Sequence, residues 1–236
     1  MSDDQQVKLF LTEEHQCSYL KGQQAQTLFV DPSFNVDDLV YGELNALGFR
    51  RSGAHFYRPH CKACRSCLAT RVLTEEFKPN RSQRRTSQKN SDLSLAFMHR
   101  IENGDEHYQL YARYINERHA NGDMYPPSEE QFRQFIVEGC FATRFLEFRL
   151  GERLIAVLVM DQLADGLSAI YTYFEPSESE RSLGVFAILS AIQIAGKKNL
   201  PFVYLGYFIA GCEKMEYKAN YRPLQMLVDQ RWTMVG

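Results

Sequence analysis

Three consecutive β-strand patterns, joined by very short turns, restrict the fold of this 236-residue chain more than any other feature. They are TRFLEFRL from residue 143, RLIAVLVMDQL from residue 153 and LSAIYTYFEP from residue 167. β-Branched and aromatic residues are typical of strands, and turns this short connect antiparallel neighbours. The pattern therefore predicts a three-stranded antiparallel meander.

The segments after the meander predict a mixed sheet. RSLGVFAILSAIQIAGKK is typical of an apolar helix, LPFVYLGYFI of a buried strand, CEKMEYKAN of a short helix and LQMLVDQRW of a final strand. The resulting order, β-β-β-α-β-α-β, resembles the acyl-CoA N-acyltransferase (GNAT-like) fold. We therefore expect an α+β protein with a C-terminal acyltransferase-like domain at residues 101–236 and a smaller Cys/Arg-rich domain at residues 1–100.

Upstream patterns predict further helices and one long loop. A helix is expected over NVDDLVYGELNALGF, capped by Asn35 and ended by Gly48, and another over residues 105–120. A capping-box pattern, Ser128 to Gln131, predicts the start of a third. The polar, basic segment at residues 77–92 predicts a loop.

The composition indicates a globular protein. Hydrophobic residues make up 44% of the chain, and no apolar run reaches the roughly 18 residues that would span a bilayer. The acidic N-terminus resembles no signal peptide, so we expect a cytoplasmic protein without membrane contact. Thiols stay reduced in that compartment, so the six cysteines do not predict disulfides.

Positive charge is concentrated in one segment. Residues 50–89 carry eleven Lys or Arg and two Asp or Glu, whereas the whole chain has a net charge of −2. Such a block indicates a phosphate or carboxylate partner. The alternative, a solvated basic face, usually mixes both signs of charge.

A CoA site is not expected. Acyl-CoA-binding loops of the resembled fold usually end in a small residue, but here Arg181-x-x-Gly184 is followed by Phe186. Phe186 thus stands at the last position of the loop, and its ring would obstruct the close backbone approach that a diphosphate needs. Gly184 then only allows close helix packing.

Motifs along nearly the whole chain resemble one family. They include CSYL at residue 17, YGELNALGFRRSG at 41, YRPHCKACRSC at 57, FKPNRSQRR at 77, YLGYFI at 204 and KMEYKANYRP at 214. They are similar to those of the short bacterial members of the arginyl-tRNA–protein transferase family. The resemblance implies transfer of leucine from leucyl-tRNA to the α-amine of proteins beginning with Asp or Glu, which creates a degradation signal of the N-end rule pathway.

The implied reaction requires few catalytic groups. Aminoacyl-tRNA is an activated ester, so no cofactor is required, and an α-amine has a pKa near 7.7–8.0. The enzyme must orient amine and ester, accept a proton and stabilise an oxyanion. Acids within apolar strands are candidate proton acceptors, and tyrosine hydroxyls are candidates to orient the amine. The predicted catalytic residues are Tyr171, Tyr173, Glu147 and Asp161.

The three partners predict three kinds of contact. An acidic first side chain requires arginine, which Arg81, Arg84 and Arg85 supply, although tRNA phosphate contact is a competing role for them. A tRNA 3′ end requires cations and stacking surfaces; the candidates are Arg181, Ser182, Lys214, Tyr217, Lys218 and Arg222. The leucyl side chain requires an apolar pocket, for which Tyr204 and Tyr207 are candidates.

The cysteines form an incomplete metal motif. Cys61, Cys64 and Cys67 follow C-x₂-C-x₂-C, but a ferredoxin-type run would place its next cysteine at Arg71. A tetrahedral Zn site needs a fourth ligand, and Cys17 of the family motif CSYL is the best candidate. A structural Zn or Fe–S centre and reduced thiols packed around the loop both remain open.

Two rival functions also remain open. An arginyl donor would need carboxylates around its guanidinium, which Glu147 or Asp161 could supply. A metal-stabilised RNA-binding module would need no acyltransferase-like domain.

Overall fold

The N-terminal part of the protein forms a small antiparallel sheet beside one helix. The computed structural model describes residues 7–122 and 124–235. The small sheet has the order β1-β4-β6-β5, and a separate two-stranded ribbon pairs β2 with β3. The bounds are β1 Leu9–Leu11, β2 His15–Gln16, β3 Gln24–Ala25, β4 Thr27–Val30, α1 Asp38–Ala46, β5 Arg50–Ser52 and β6 His55–Pro59.

Helix α1 begins two residues later than its predicted cap. Asp37, not Asn35, is the N-cap, and its carboxylate accepts a hydrogen bond from the Val40 N–H at 2.9 Å. Gly48 follows the helix with φ +86°, the left-handed conformation typical of a glycine that ends a helix. The helix packs its buried residue Tyr41 into the N-terminal core.

The segment predicted as a loop at residues 77–92 contains a helix. Helix α2, Arg81–Lys89, begins with a capping box in which Asn80 and Gln83 satisfy each other's backbone N–H groups. Only Gln83 of this helix is buried. The loop prediction was wrong because a nearly solvated helix shows no apolar period, and only its cap carries the signal.

A mixed sheet of eight strands dominates the fold. Its strands are β7 Leu68–Leu73, β8 Ser94–Met98, β9 Thr143–Leu150, β10 Arg153–Gln162, β11 Gly166–Phe174, β12 Phe202–Phe208, β13 Leu224–Val228 and β14 Arg231–Val235. Their order is β14-β13-β7-β12-β11-β10-β9-β8, and all neighbours are antiparallel except β11 and β12. The predicted meander β9-β10-β11 and the α+β class are confirmed.

Two details of this sheet differ from the predictions. The segment predicted as a single final strand forms a hairpin. Asp229 and Gln230 both adopt positive φ and form the tight turn between β13 and β14. Strands β7 and β8 precede residue 100 yet lie within the large sheet. The division at residue 100 stays a prediction as a domain boundary, but the sheet takes strands from both sides of it.

Helices cover both faces of the meander. Alternate residues such as Val157 and Val159 face helix α3, whereas Leu158 and Met160 face helix α5. The remaining bounds are α3 Gly104–Arg118, α4 Glu129–Phe132 continued by a π-turn at Arg133–Val137, α5 Leu183–Lys197, and α6 Glu213–Glu216 continued by a 3₁₀ turn at Tyr217–Asn220. Ser128 caps α4 as predicted. No helix among the described residues is long and apolar enough to cross a membrane.

Candidate active site

Strands β11 and β12 separate partway along their length and open a cleft. They pair in parallel only from Gly166 to Ser168, opposite Phe202 to Tyr204. Immediately beyond, each carries one extra residue: Ile170 relative to β10, and Leu205 relative to β7. Gly206 follows with φ +79°, which a glycine adopts without steric cost. These bulges turn the two strands apart, because an extra residue bends the strand that carries it.

The cleft is large and positively charged. Its volume is about 950 Å³, near the upper end of the roughly 300–1,000 Å³ typical of ligand sites. Among the described residues, no Asp or Glu lines it. The cationic and titratable lining is Arg50, Arg51, Arg118, His119, Lys214 and Lys218, and the tyrosines are Tyr19, Tyr57, Tyr114, Tyr171, Tyr207, Tyr217 and Tyr221. Such a lining favours an anionic ligand with rings to stack.

One wall of the cleft is apolar. It comes from the separated ends of β11 and β12 and from the first turns of α5. Its residues are Ala169, Ile170, Phe174, Val185, Ile188 and Leu205. This wall is suited to an aliphatic side chain.

Two bases with lowered pKa values lie in the cleft: Lys218, which is buried, and His119, which is half-buried. Burial lowers the pKa of Lys218 to about 8; its Nζ lies 3.0 Å from the Met215 sulfur. Burial also lowers the pKa of His119, and the nearby charges of Lys214 and Arg118 lower it further. His119 Nε2 lies 3.0 Å from the Tyr114 hydroxyl. Both groups can therefore be partly or wholly neutral near pH 8.

Five residues predicted from the sequence line the cleft together: Tyr171, Tyr207, Lys214, Tyr217 and Lys218. Burial raises the pKa of both Tyr171 and Tyr207, so their hydroxyls stay protonated hydrogen-bond donors. The Tyr207 hydroxyl donates to the Gly48 carbonyl at 2.7 Å, which ties β12 to the N-terminal part. The roles assigned to these five residues stay predictions.

Glu147 and Tyr173 lie outside the cleft, in a buried polar chain. The Glu147 carboxylate accepts from His107 Nε2 at 2.9 Å and from Arg149 Nε at 2.9 Å. His107 Nδ1 then accepts from the Tyr173 hydroxyl at 2.8 Å. Burial lowers the pKa of His107, against the pull of Glu147. This placement corrects the expectation that Glu147 and Tyr173 reach the substrate, because their polar atoms are occupied inside the protein.

Asp161 is likewise buried and fully paired. Its carboxylate accepts from Arg51 Nε at 2.6 Å and Nη2 at 2.7 Å, from the Tyr41 hydroxyl at 2.5 Å and from the Thr143 hydroxyl at 2.9 Å. Asp161 has no exposed surface. The expectation that it lies near the acceptor amine is therefore corrected: it joins the meander to β5 of the small sheet.

Tyr204, predicted for the leucyl pocket, is also buried outside the cleft lining. Its hydroxyl donates to the Asp165 carboxylate at 2.6 Å, and its ring packs near Trp232. Burial, reinforced by Asp165, raises the pKa of Tyr204 to about 12. Successive side chains of a strand point to opposite faces of the sheet. Tyr204 precedes the bulge at Leu205 and lies on the face away from the cleft.

The three arginines assigned to the acceptor lie on the exposed side of α2. Arg81, Arg84 and Arg85 are all exposed, and Arg84 Nη1 donates to the Pro79 carbonyl. Among the described residues, the cleft takes Asn80, Ser82 and Gln83 from this segment instead. The arginine triplet therefore does not line this cleft, and both of its assigned roles, binding of the acceptor's acidic residue and contact with tRNA phosphates, stay predictions.

Three residues assigned to tRNA lie away from the cleft lining. Arg181 donates to the carboxylates of Asp92 and Glu178 at 2.9 Å. Ser182 adopts the left-handed conformation, φ 53°, where α5 begins. Arg222 donates to the Val235 carbonyl at 2.8 Å. Their predicted contacts with the tRNA 3′ end would have to lie outside the cleft.

The predicted metal ligands are half-buried free thiols. Burial raises the pKa of Cys67 to about 12, and the nearby thiols of Cys61, Cys17 and Cys64 contribute to this rise. Within residues 7–122 and 124–235, however, no three His, Cys, Asp or Glu side chains are arranged to hold a metal ion. As they are arranged here, these thiols do not fit a Zn or Fe–S centre.

Sequence reasoning missed several cleft residues, above all Arg50, Arg118 and His119. Arg50 belongs to the basic segment, but nothing in the sequence separates it from its neighbours. Arg118 and His119 stand at the C-terminal end of α3, where cations are common for reasons of helix stability alone. A sequence signal for them was absent because the cleft forms between distant segments.

The fold and the cleft together define an α+β protein with a mixed eight-stranded sheet and a cationic, tyrosine-lined site. Residues 15–85 match the family described as "Arginine-tRNA-protein transferase, N terminus", and residues 106–228 match its C-terminal counterpart. The chain therefore belongs to the arginine-tRNA–protein transferase family.

Two full-length relatives are similar to the chain. It is 48% identical over 235 residues to "Aspartate/glutamate leucyltransferase" from Hahella chejuensis, and 50% identical over 236 residues to the protein of the same name from Pseudomonas entomophila. In both comparisons the match covers 100% of each chain. The solved structure of L-PGS from Bacillus licheniformis aligns with TM-score 0.46 at 9% identity, covering 73% of this chain and 50% of that one.

Proposed function

We propose that this protein transfers leucine from leucyl-tRNA to the α-amine of proteins that begin with Asp or Glu. The family and the names of the full-length relatives support this assignment. The product begins with leucine, which makes it a degradation signal of the N-end rule pathway, and the expected compartment is the cytoplasm. Leucyl-tRNA and acidic N-termini are both anionic ligands, and both suit a cleft rich in cations.

The observation that carries the choice of leucine over arginine is the lack of carboxylates in the described lining of the cleft. An arginyl group would bring a guanidinium into this site, which would need an acidic partner. Glu147 and Asp161, the acids that could serve, are paired with Arg149 and Arg51. The apolar wall of β11, β12 and α5 suits the leucyl side chain instead.

The reaction replaces an ester by an amide. The neutral α-amine attacks the leucyl carbonyl carbon and forms the C–N bond, the C–O bond to the terminal ribose breaks, and the departing ribose oxygen takes up the proton that the amine gives up. The ester is already activated, so the protein needs only to orient the reactants and stabilise the developing oxyanion. Protonated tyrosine hydroxyls of the cleft, such as that of Tyr171, are suitable donors for that oxygen.

The amine must lose a proton during the attack. His119 and Lys218 are the bases of the cleft whose pKa values burial lowers, and each can accept that proton in its neutral form. The pH dependence of kcat distinguishes these two candidate proton acceptors. If His119 is the acceptor, His119→Asn flattens the pH dependence of kcat below pH 7, and if Lys218 is the acceptor, Lys218→Met flattens it near pH 8.

A donor and acceptor exchange tests the proposal. The purified protein is incubated with labelled leucyl-tRNA or arginyl-tRNA and with peptides that differ only in beginning with Asp, Glu or Ala. We expect transfer only from leucyl-tRNA and only to the Asp and Glu peptides. Transfer from arginyl-tRNA alone would replace the proposed donor, and transfer from neither would contradict an aminoacyltransferase function.

A further inference from the structure

Two adjacent arginines of β5 have opposite electrostatic environments. Arg51 is fully paired: its guanidinium donates to both Asp161 oxygens, to the Thr143 hydroxyl and to the Gly53 carbonyl. Burial alone lowers the pKa of Arg51, but the Asp161 ion pair more than offsets this and raises it. Arg51 therefore forms a structural ion pair, and the Asp161 carboxylate is its countercharge.

Arg50 is as deeply buried, but none of the described carboxylates pairs with it. It is 4% exposed and lines the cleft. Its Nη1 donates to the Asn45 side-chain oxygen at 2.8 Å and to the Phe49 carbonyl at 2.6 Å. Its Nε and Nη2 atoms are buried and have no hydrogen-bond partner among the described residues. Burial lowers the pKa of Arg50, and the groups that oppose this are tyrosines, not carboxylates.

The guanidinium of Arg50 is held in place by its surroundings. Its Cζ lies 5.3 Å from the ring centre of Tyr204 and 5.9 Å from that of Tyr207. These cation–π contacts and the Nη1 hydrogen bonds fix the plane of the fork. Nε and Nη2 form the remaining edge of the guanidinium. This edge can donate two parallel N–H hydrogen bonds to one carboxylate.

A buried, unpaired charge is costly to a protein and is found where a ligand completes the pairing. We propose that Nε and Nη2 of Arg50 bind the side-chain carboxylate of the acceptor's first residue and so select Asp and Glu. This inference rests on the proposed function and assigns to Arg50 the selectivity that the sequence had assigned to the arginines of α2.

The carboxylate of the acceptor fits this site better than a tRNA phosphate. Phosphate contacts made to position a nucleic acid use hydrated surface cations, and the exposed arginines of α2 are of that kind. Discrimination of Asp from Asn instead requires a desolvated cation, because an amide there would leave the buried charge unpaired. Arg50 is desolvated, whereas Arg81, Arg84 and Arg85 are exposed.

The test compares Arg50→Met and Arg50→Lys with the wild-type protein. Leucine transfer is measured to two peptides that differ only in beginning with Asp or Asn. For Arg50→Met we expect kcat/KM with the Asp peptide to fall roughly 30- to 1,000-fold, the loss typical of removing one partner of a buried charge pair. The preference for Asp over Asn should nearly disappear, while KM for leucyl-tRNA changes less than threefold. Arg50→Lys keeps the positive charge but loses the two parallel N–H donors, so it should retain part of the preference for Asp over Asn.

Arg71→Met is the matched control. Arg71 also lies on aromatic rings, 3.6 Å from the ring centre of Phe202 and 4.3 Å from that of Trp232, but it does not line the cleft. Its loss should affect stability without changing the preference for Asp over Asn.

Three outcomes separate the possibilities. An unchanged preference in folded Arg50 variants would overturn the role of Arg50 and leave the proposed function intact. A higher KM for leucyl-tRNA with an unchanged preference would also overturn it, in favour of a tRNA contact. Wild-type protein that transfers no leucine to either peptide would contradict the proposed function itself.

Discussion

The substitution Asp161→Asn tests whether Asp161 is structural, as its contacts indicate. The side chain accepts four hydrogen bonds, from two nitrogens of Arg51 and from the hydroxyls of Tyr41 and Thr143. The amide removes the negative charge and leaves the Arg51 guanidinium buried and unpaired. It also turns one acceptor into a donor that faces donors, so the pairing cannot be recovered by rotation.

Breaking a buried ion pair in this way costs about 3–5 kcal/mol of unfolding free energy. For a chain of this length, each kcal/mol shifts the melting temperature by roughly 2–4 °C. We therefore expect Asp161→Asn to melt about 6–20 °C below the wild type. Asp31→Asn is the matched control: among the described residues, the Asp31 carboxylate accepts hydrogen bonds from Ser33 alone, in a surface turn, so the loss of its charge should cost far less.

The assay combines urea denaturation with leucine transfer at a temperature where both variants are folded. We expect a lower denaturation midpoint for Asp161→Asn and a kcat within about threefold of the wild-type value, since the side chain does not line the cleft. An unchanged midpoint together with a kcat reduced a hundredfold would refute this reasoning. Asp161 would then act in the chemistry, as the sequence alone suggested.

Three further predictions follow from the charged residues. Lys214→Ala should weaken leucyl-tRNA binding and reduce the slope of log K against log salt by about one, because one phosphate contact is lost; an unchanged slope would remove Lys214 from the tRNA site. Lys218 has a folded pKa of about 8, so its unfolded form binds more protons between pH 8 and 10 and stability should rise with pH there, by up to about 3 kcal/mol. Urea titrations at each pH should show this rise in the wild type and not in Lys218→Met. Arg181→Ala should leave the transfer rate within about threefold, because its guanidinium is held by two carboxylates at the surface; a tenfold loss would restore it to the tRNA site.

Local patterns in the sequence were sufficient to predict most of the C-terminal elements. Runs of β-branched and aromatic residues joined by short turns predicted the meander, and the apolar run after Arg181 predicted α5. The hairpin at residues 224–235 was missed because Asp229-Gln230 is not a common turn pair, although both residues adopt positive φ. Helix α2 was missed because its stability comes from a cap and solvated side chains, not from an apolar face.

The site was harder to predict because it depends on contacts between distant segments. Acids within apolar strands were correctly singled out as unusual, but their partners lie far away in sequence: Arg51 is 110 residues from Asp161, and His107 is 40 residues from Glu147. A strand pattern also gives no sign of where two strands separate. Tyr171 and Tyr204 look equivalent in sequence, yet only Tyr171 lies beyond the bulges that open the cleft.

The proposed function has leucyl-tRNA and the acceptor meet where β11 and β12 separate. Photo-crosslinking tests it directly, with a tRNA that carries leucine through a stable amide and a photoreactive group on its terminal adenosine. We predict that mass spectrometry places the crosslinks on cleft residues of β11, β12 and residues 214–221, and that an excess of peptide beginning with Asp changes their yield. Crosslinks confined to the cysteine loop or to β14 would contradict the account.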